Sequence, residues 1–361
     1  MWYNYRAIGI SIDFSRNITF DNNVIAHVLE RETIEAGGNF VDKRAGLTVC
    51  QYHEPEVCHD ITVTNNIAAG VTYAGFIAPG HTCGDYSSNA FKHNIAHSVA
   101  GFKGGHGALI YPDPAFPSQE TCYEGSYFTA YKCYYQGVYA FYKSQSVIFS
   151  NMNMIDNRQG FGACLKVVGD PEYREIRIEL NDNKIYGETP IKDCPDDGSF
   201  CKRYDKFGMI LSGAAHKGKS PHITGESALP VQKIKGLASW GTVQKMHRNE
   251  FIGFDSKTSL GKRQAVFEMN EWQPDYLPMM EFFNSKFIDV KDSAAAYLMD
   301  PLPKWANLDD CGNYPCTAPN NALLTFQDTV FEGAKPRWAT SDFQIIANNS
   351  GFAPYIENCD P

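Results

Sequence analysis

Ile61-Thr62-Val63-Thr64-Asn65-Asn66-Ile67-Ala68 alternates apolar and polar residues, halts at a pair of asparagines and resumes with an apolar residue. Alternation with period two marks a strand with one buried face, and β-branched side chains suit a pleated surface. The pattern returns as Ile18-Thr19-Phe20-Asp21-Asn22-Asn23-Val24-Ile25 and as Phe91-Lys92-His93-Asn94-Ile95-Ala96. Further copies are Val147-Ile148-Phe149-Ser150-Asn151-Met152-Asn153-Met154 and Ile176-Arg177-Ile178-Glu179-Leu180-Asn181-Asp182-Asn183-Lys184-Ile185. Weaker ones end at Asn249-Glu250-Phe251 and Asn284-Ser285-Lys286-Phe287. Where a strand turns a corner one residue must take a left-handed backbone, which Asn tolerates better than almost any residue except Gly. Stacked corners also let Asn amides bond one another along an axis. The corner positions read this way are Asn23, Asn66, Asn94, Asn153 and Asn183.

Equivalent asparagines are 28 residues apart from Asn66 to Asn94, 30 from Asn153 to Asn183 and 43 from Asn23 to Asn66. A strict period would mean ankyrin repeats or propeller blades. An uneven one suits a solenoid of parallel coils, whose short strands stay in register while the loops between them vary in length. The expected fold is therefore all-β: a right-handed parallel β-helix of the pectin-lyase-like type, with Cys-containing loop insertions. It forms one domain over 1–361, with about 12 coils stacked roughly 55 to 60 Å high. Gly, Pro, Asp and Cys cluster near 101–130, 190–222 and 300–321, where long insertions are expected. A β-sandwich would also alternate, but its hairpins give no cause to put Asn at each strand end.

The net charge of −9 and the absence of a dense Lys/Arg run argue against a nucleic-acid partner. Eleven cysteines favour an oxidising compartment. Cys50, Cys58, Cys83, Cys122, Cys194, Cys201, Cys311 and Cys316 lie in loop-like contexts and are disulfide candidates, their connectivity open, while Cys164 in an apolar strand reads as a buried thiol. Zinc is the weaker reading, because no Cys pair has the two-residue gap of a zinc knuckle. Asn17-Ile18-Thr19 and Asn348-Asn349-Ser350 are glycosylation sequons, making Asn17 and Asn348 acceptor candidates. No leader peptide and no apolar run near the roughly 20 residues of a membrane span is visible. Secretion would then make the chain a piece of a longer protein, anchored elsewhere.

Two blocks carry a family resemblance. Cys58 to Cys83, with Gly75-Phe76 and Pro79 after the strand Asn66-Ile67-Ala68 and followed by Asn94-Ile95-Ala96-His97-Ser98, resembles the β-helix region of fibrocystin and fibrocystin-L. Trp305 to Thr317, containing Cys311-Gly312-Asn313-Tyr314-Pro315-Cys316 and followed by Leu323-Leu324-Thr325-Phe326, resembles the same family near the end of its β-helix. The resemblance implies a large single-pass surface protein with immunoglobulin-like and G8 modules, associated with cilia, the cell coat and receptor-like or adhesive roles. It implies no catalytic residues and no cofactor.

The remaining candidates are sites by composition. Asp196-Asp197 and Asp309-Asp310 are adjacent pairs, and neighbours on a strand point to opposite faces, so they read as turn residues and not as an acid/base pair. His81, Asp85, His93, His97 and His106 fall within one or two coils, and three imidazoles converging there would bind a metal or shuttle protons. The Tyr-rich run 123–142 would offer flat rings to sugar faces wherever it is exposed. The expected function is a non-catalytic extracellular or cell-surface module contacting a protein or glycan partner. Its rival is a glycan-cleaving β-helix enzyme of the hyaluronidase or polysaccharide-lyase type.

Overall fold

The computed structural model describes residues 2–3, 8–28, 45–50, 58–78, 82, 88–99, 105–110, 122–133, 136–141, 146–157, 159–164, 177–187, 234–240, 243–254, 264–270, 279–290, 295–299, 323–332, 337–339, 344–347 and 355–357. Their strands form three sheets in which each strand pairs with the third one before and after it, except that Arg337–Ala339 pairs with Tyr355–Glu357, the second strand after it; the chain thus rises one layer for every three strands. One coil runs through His59–Thr64 in sheet 1, Ile67–Ala69 in sheet 2 and Ala74–Ala78 in sheet 3. The next runs through Ala90–Lys92, Ile95–His97 and His106–Ile110. Sheets 1 and 2 have ten strands and sheet 3 has eleven. The pairing is parallel in register, as in Ile67↔Ile95↔Thr129 and Ala74↔His106↔Gln136. This is an all-β parallel solenoid, and hairpin-linked sandwich sheets are excluded among the described residues. No helix among them is long and apolar enough to cross a membrane.

The insertion expected at 101–130 is corrected: it contains the strands His106–Ile110, Cys122–Ser126 and Thr129–Tyr131, because its Gly and Pro residues surround short apolar segments that complete two coils. The ranges 190–222 and 300–321 lie outside the described residues.

The corner between sheets 1 and 2 divides two roles that the sequence reading had assigned to one asparagine. The left-handed residue is the one before it: Asn22, Asn65, His93, Tyr127, Asn151, Asp182, Arg248, Asn284 and Asp328 have φ between 49 and 58°. Most of these are exposed, and the residue that follows each turns inward. That inward column reads Asn23, Asn66, Asn94, Phe128, Met152, Asn183, Asn249, Ser285 and Thr329. Asn153 is therefore a misplaced corner: Met152 occupies the position, and Asn153 opens the strand Asn153–Ile155.

The inward asparagines form an amide ladder. The Asn66 backbone N–H and side-chain NH₂ both donate to Asn94 Oδ1 at 3.0 Å, and the same NH₂ donates to the Phe20 carbonyl at 2.9 Å. Asn23 treats Asn66 Oδ1 likewise, at 2.9 and 3.1 Å. A second segment begins where Met152 N–H donates to Asn183 Oδ1 at 2.8 Å and continues through Asn249 to the Ser285 hydroxyl. Each amide thus satisfies backbone groups that the corner takes out of the sheets, where an unmade bond costs about 1–3 kcal/mol.

Inside, sheet 1 contributes the column Phe20, Val63, Phe91, Phe149, Leu180, Met246, Phe282 and Phe326, interrupted once by Gly125. A side chain at Gly125 would meet the ring of the fully buried Tyr123 at 2.9 Å, so Tyr123 fills the space that the glycine leaves. Sheet 3 carries its own ladder: a Cβ on Gly46, Gly75, Gly107 or Gly137 would stand 2.5–2.7 Å from the carbonyl oxygen of the glycine one coil further on. Opposite Gly75 and Gly107 lie the small residues Ala68, Ala96 and Ala130 of sheet 2, whereas Gly46 faces Ile25 and Gly137 faces Met154. At Gly75 and Gly107 the two backbones can approach only because both sides lack bulk.

Three substitutions test this arrangement. Asn66→Ala strands buried backbone and amide groups and should lower stability by about 3 kcal/mol in urea denaturation, whereas Met152→Leu in the same column should cost less than about 1.5 kcal/mol. Gly107→Ala forces a methyl group against the Gly137 carbonyl and Ala130, and should cost about 2–3 kcal/mol by the same measurement.

Candidate lateral binding face

Sheet 2 strands are three residues long, and their middle side chain points into the core. The flanking two point out, so successive coils present Ile67 and Ala69, Ile95 and His97, Thr129 and Tyr131, then Asn153 and Ile155. A second left-handed corner follows each strand, at Gly70, Ser98, Lys132 and Asp156. Between the two corners the coil offers a narrow outward panel, repeated at strand spacing up the axis.

Two imidazoles on this panel stack on tyrosines of the next coil. His93 and Tyr127, both left-handed corner residues, have centroids 4.6 Å apart and planes within 11°. His97 and its register partner Tyr131 have centroids 4.6 Å apart and planes within 7°. The spacing is close to that of adjacent strands, so the rings pile along the axis and cover each other's faces. What they turn outward is their edges, with the ring nitrogens and phenol oxygens. His97 is half-buried, and desolvation, with Lys132 nearby, holds its pKa below the ordinary histidine range.

Charges on the panel are distributed unevenly. In the two coils of the stacked rings, the outward residues of 92–98 and 126–132 are Lys92, His93, Ile95, His97, Ser98, Ser126, Tyr127, Thr129, Tyr131 and Lys132, without a carboxylate. The coils on either side present Thr64, Asn65, Ile67 and Ala69, and Ser150, Asn151, Asn153 and Ile155; Asp156 there is buried. Further out, Asp21, Asp182 and Glu250 have partners. The Thr64 hydroxyl and Asn65 amide donate to Asp21, lowering its pKa. Arg248 grips Asp182 with two bonds at 2.6 and 2.7 Å, which depresses the carboxyl and raises the guanidinium. Lys184 pairs with Glu250 at 3.3 Å.

The expected histidine convergence is corrected for its described members. His93 stands at a corner, His97 faces out from sheet 2, and His106 is buried on the outer side of sheet 3, stacked on Tyr139 at 5.3 Å. His93 and His97 share the panel, whereas the next corner of the coil carries His106 away to sheet 3, and no group of three metal-ligating side chains occurs among the described residues. His81 and Asp85 lie outside those residues, as do Cys83, Cys194, Cys201, Cys311, Cys316, Asn348, Asp196, Asp197, Asp309 and Asp310. Of the tyrosines of the run among the described residues, Tyr123 and Tyr139 are buried, Tyr131 is half-buried and Tyr127 is exposed, the last two stacked on the panel histidines.

Cys50 and Cys58 form a buried disulfide that closes the connection from sheet 3 to the next coil. Cys122 and Cys164 belong to strands whose side chains are not described there. The buried free thiol among the described residues is Cys133, which follows the second corner beside Val99, and burial pushes its pKa up to about 12. Asn17 is exposed, left-handed and on the sheet 1 strand Arg16–Asp21. The ring stacking had a signal in the sequence, since His93 to Tyr127 and His97 to Tyr131 are both 34 residues apart, one coil.

A histidine pKa lowered by folding means that the unfolded chain binds more protons just below the ordinary histidine range, so stability falls as pH drops through that window. The wild-type chain should therefore lose urea stability from pH 7 to pH 5 relative to His97→Gln, measured side by side; parallel curves would exclude His97 as the cause. No family model, curated protein or solved structure matches the chain.

Proposed function

We propose that the chain is a right-handed, pectin-lyase-like β-helix acting as a non-catalytic module of a fibrocystin-like extracellular or cell-surface protein, and that its sheet 2 panel contacts protein or glycan partners. The observation that carries this reading is the panel itself: outward side chains held at fixed spacing by a stacked core, which over residues 64–69, 92–98, 126–132 and 150–156 present stacked rings, uncharged groups and the cations Lys92 and Lys132 without an exposed carboxylate. Right-handedness is supported by the near-universal hand of crossovers between parallel strands. The Cys50–Cys58 disulfide suits an oxidising compartment, and the two resembling blocks supply the family. Rigid length is the other contribution, since a solenoid spaces whatever flanks it.

Binding of the secreted chain to a glycan array and to extracellular-matrix proteins tests the reading, with Tyr127→Ala/Tyr131→Ala as the comparison. A selective ligand whose affinity falls roughly tenfold in the double variant is expected. Ligands indifferent to that variant would remove the panel from the function. Incubation with hyaluronan and pectin should leave polymer length unchanged, and shortening abolished by His97→Ala would replace the module with an enzyme.

A further inference from the structure

We infer that the part of the panel formed by Lys92, His93, Tyr127, His97, Tyr131 and Lys132 binds a carboxylated glycan, an inference that rests on the proposed lateral contact role and names its ligand class. Neutral sugars usually exploit aromatic rings by packing C–H groups on their faces. Here one face of each ring is taken by its stacking partner, His93 on Tyr127 and His97 on Tyr131, at 4.6 Å in both cases. The exposed edges carry the positive end of the ring quadrupole, together with imidazole and phenol groups able to donate hydrogen bonds. Two ammonium groups flank them: Lys92 at the end of the sheet 1 strand and Lys132 at the second corner.

Charge complementarity points the same way. The chain carries −9 overall, yet the window 92–98 and 126–132 presents cations and no carboxylate, and the panel segments 64–69 and 150–156 on either side add no exposed one. The nearest exposed acid of the same coils, Glu124, sits on sheet 1 two residues before Ser126, whose register partner is Lys92. Asp182 beyond the window is taken by Arg248. An anionic polymer lying across the corner would thus meet donors without crossing an exposed acid, and its chain of rigid rings would match a surface that repeats at fixed intervals.

The test uses the full chain and two probes: an unsulfated chondroitin hexasaccharide and the same hexasaccharide with its carboxylates methyl-esterified. Calorimetric titration should show binding of the acid form, weakening as salt rises from 50 to 300 mM, and about tenfold weaker binding of the ester. Lys92→Gln/Lys132→Gln should weaken the acid form about tenfold and leave the ester unchanged, with circular dichroism confirming the fold. Equal affinity for acid and ester, with loss of both in Tyr127→Ala/Tyr131→Ala, would overturn the acidic ligand while keeping the lateral face. Acid binding indifferent to both double variants would place it elsewhere and overturn the inference, as would the absence of acid binding.

Discussion

A parallel solenoid must turn its backbone through a corner in every coil without leaving buried amides unpaired, and the pairing of one corner with the next governs this structure. The solution separates labour between two adjacent residues. An outward one takes the left-handed conformation at Asn22, Asn65, His93, Asp182 and Arg248, and an inward one carries the hydrogen bonds at Asn23, Asn66, Asn94, Asn183 and Asn249. Because an inward amide such as Asn66 accepts from Asn23 and donates to the Phe20 carbonyl in one neighbouring coil while donating to Asn94 Oδ1 in the other, no corner is stable alone, and stability is a property of the stack. The break at Phe128 and Met152 fits this logic, since two successive apolar side chains remove polar side-chain groups from the column together and leave no half-satisfied amide between them.

That stacking explains why the outward side chains are arranged as they are. Register fixes side chains of successive coils one above another, so aromatic and imidazole rings at equivalent positions must stack along the axis, as His97–Tyr131 and His247–Phe283 do at 4.6 and 4.9 Å. Charges at equivalent positions must alternate or repel, and Lys184–Glu250 and Asp182–Arg248 alternate. Where a coil holds neither a stacking pair nor an opposite charge, it holds small or uncharged groups such as Ala69, Ile67 and Asn153. The panel is thus a column of columns, and a single cation inserted into it stands out against a quiet background.

The fold was legible in the sequence wherever the repeat was written in residue types with one physical use. Asn66 and Asn94, each following a β-branched or aromatic alternation, sit where the amide ladder needs them. The misplacement of Asn153 has a physical cause: Asn151-Met152-Asn153 offers two asparagines around the true corner, and the inward site accepts Met as readily as Asn once its neighbour is Phe128. The glycine ladder of sheet 3 was in plain view as Ala45-Gly46-Leu47, Ala74-Gly75-Phe76 and His106-Gly107-Ala108, yet glycine ordinarily signals turns. Only coil-to-coil register shows that these glycines mark close backbone approach. Nearness in sequence suggests that the histidines converge, whereas the second corner of the coil separates His106 on sheet 3 from His93 and His97 on the panel.

The separation between inward and outward residues also sets where function can be written. An inward corner asparagine is held by bonds to two coils, and a sheet 3 glycine by a carbonyl a few ångströms away, so neither site tolerates change. The left-handed corner position constrains only the backbone, and its occupants here include Asn, His, Tyr, Asp and Arg. Bulky residues pay a conformational penalty of about 1–2 kcal/mol there, so Tyr127 and Arg248 at such positions require compensation. Arg248 finds it in the paired bonds to Asp182, and Tyr127 in the stacked ring of His93. Stacking alone returns about 0.5–1.5 kcal/mol, which offsets the penalty without clearly exceeding it. Tyr127 is half exposed and contributes little to the core, so a residue with less strain would serve the fold equally well. Its presence beside Lys92 and His93 is therefore not dictated by the packing of the solenoid.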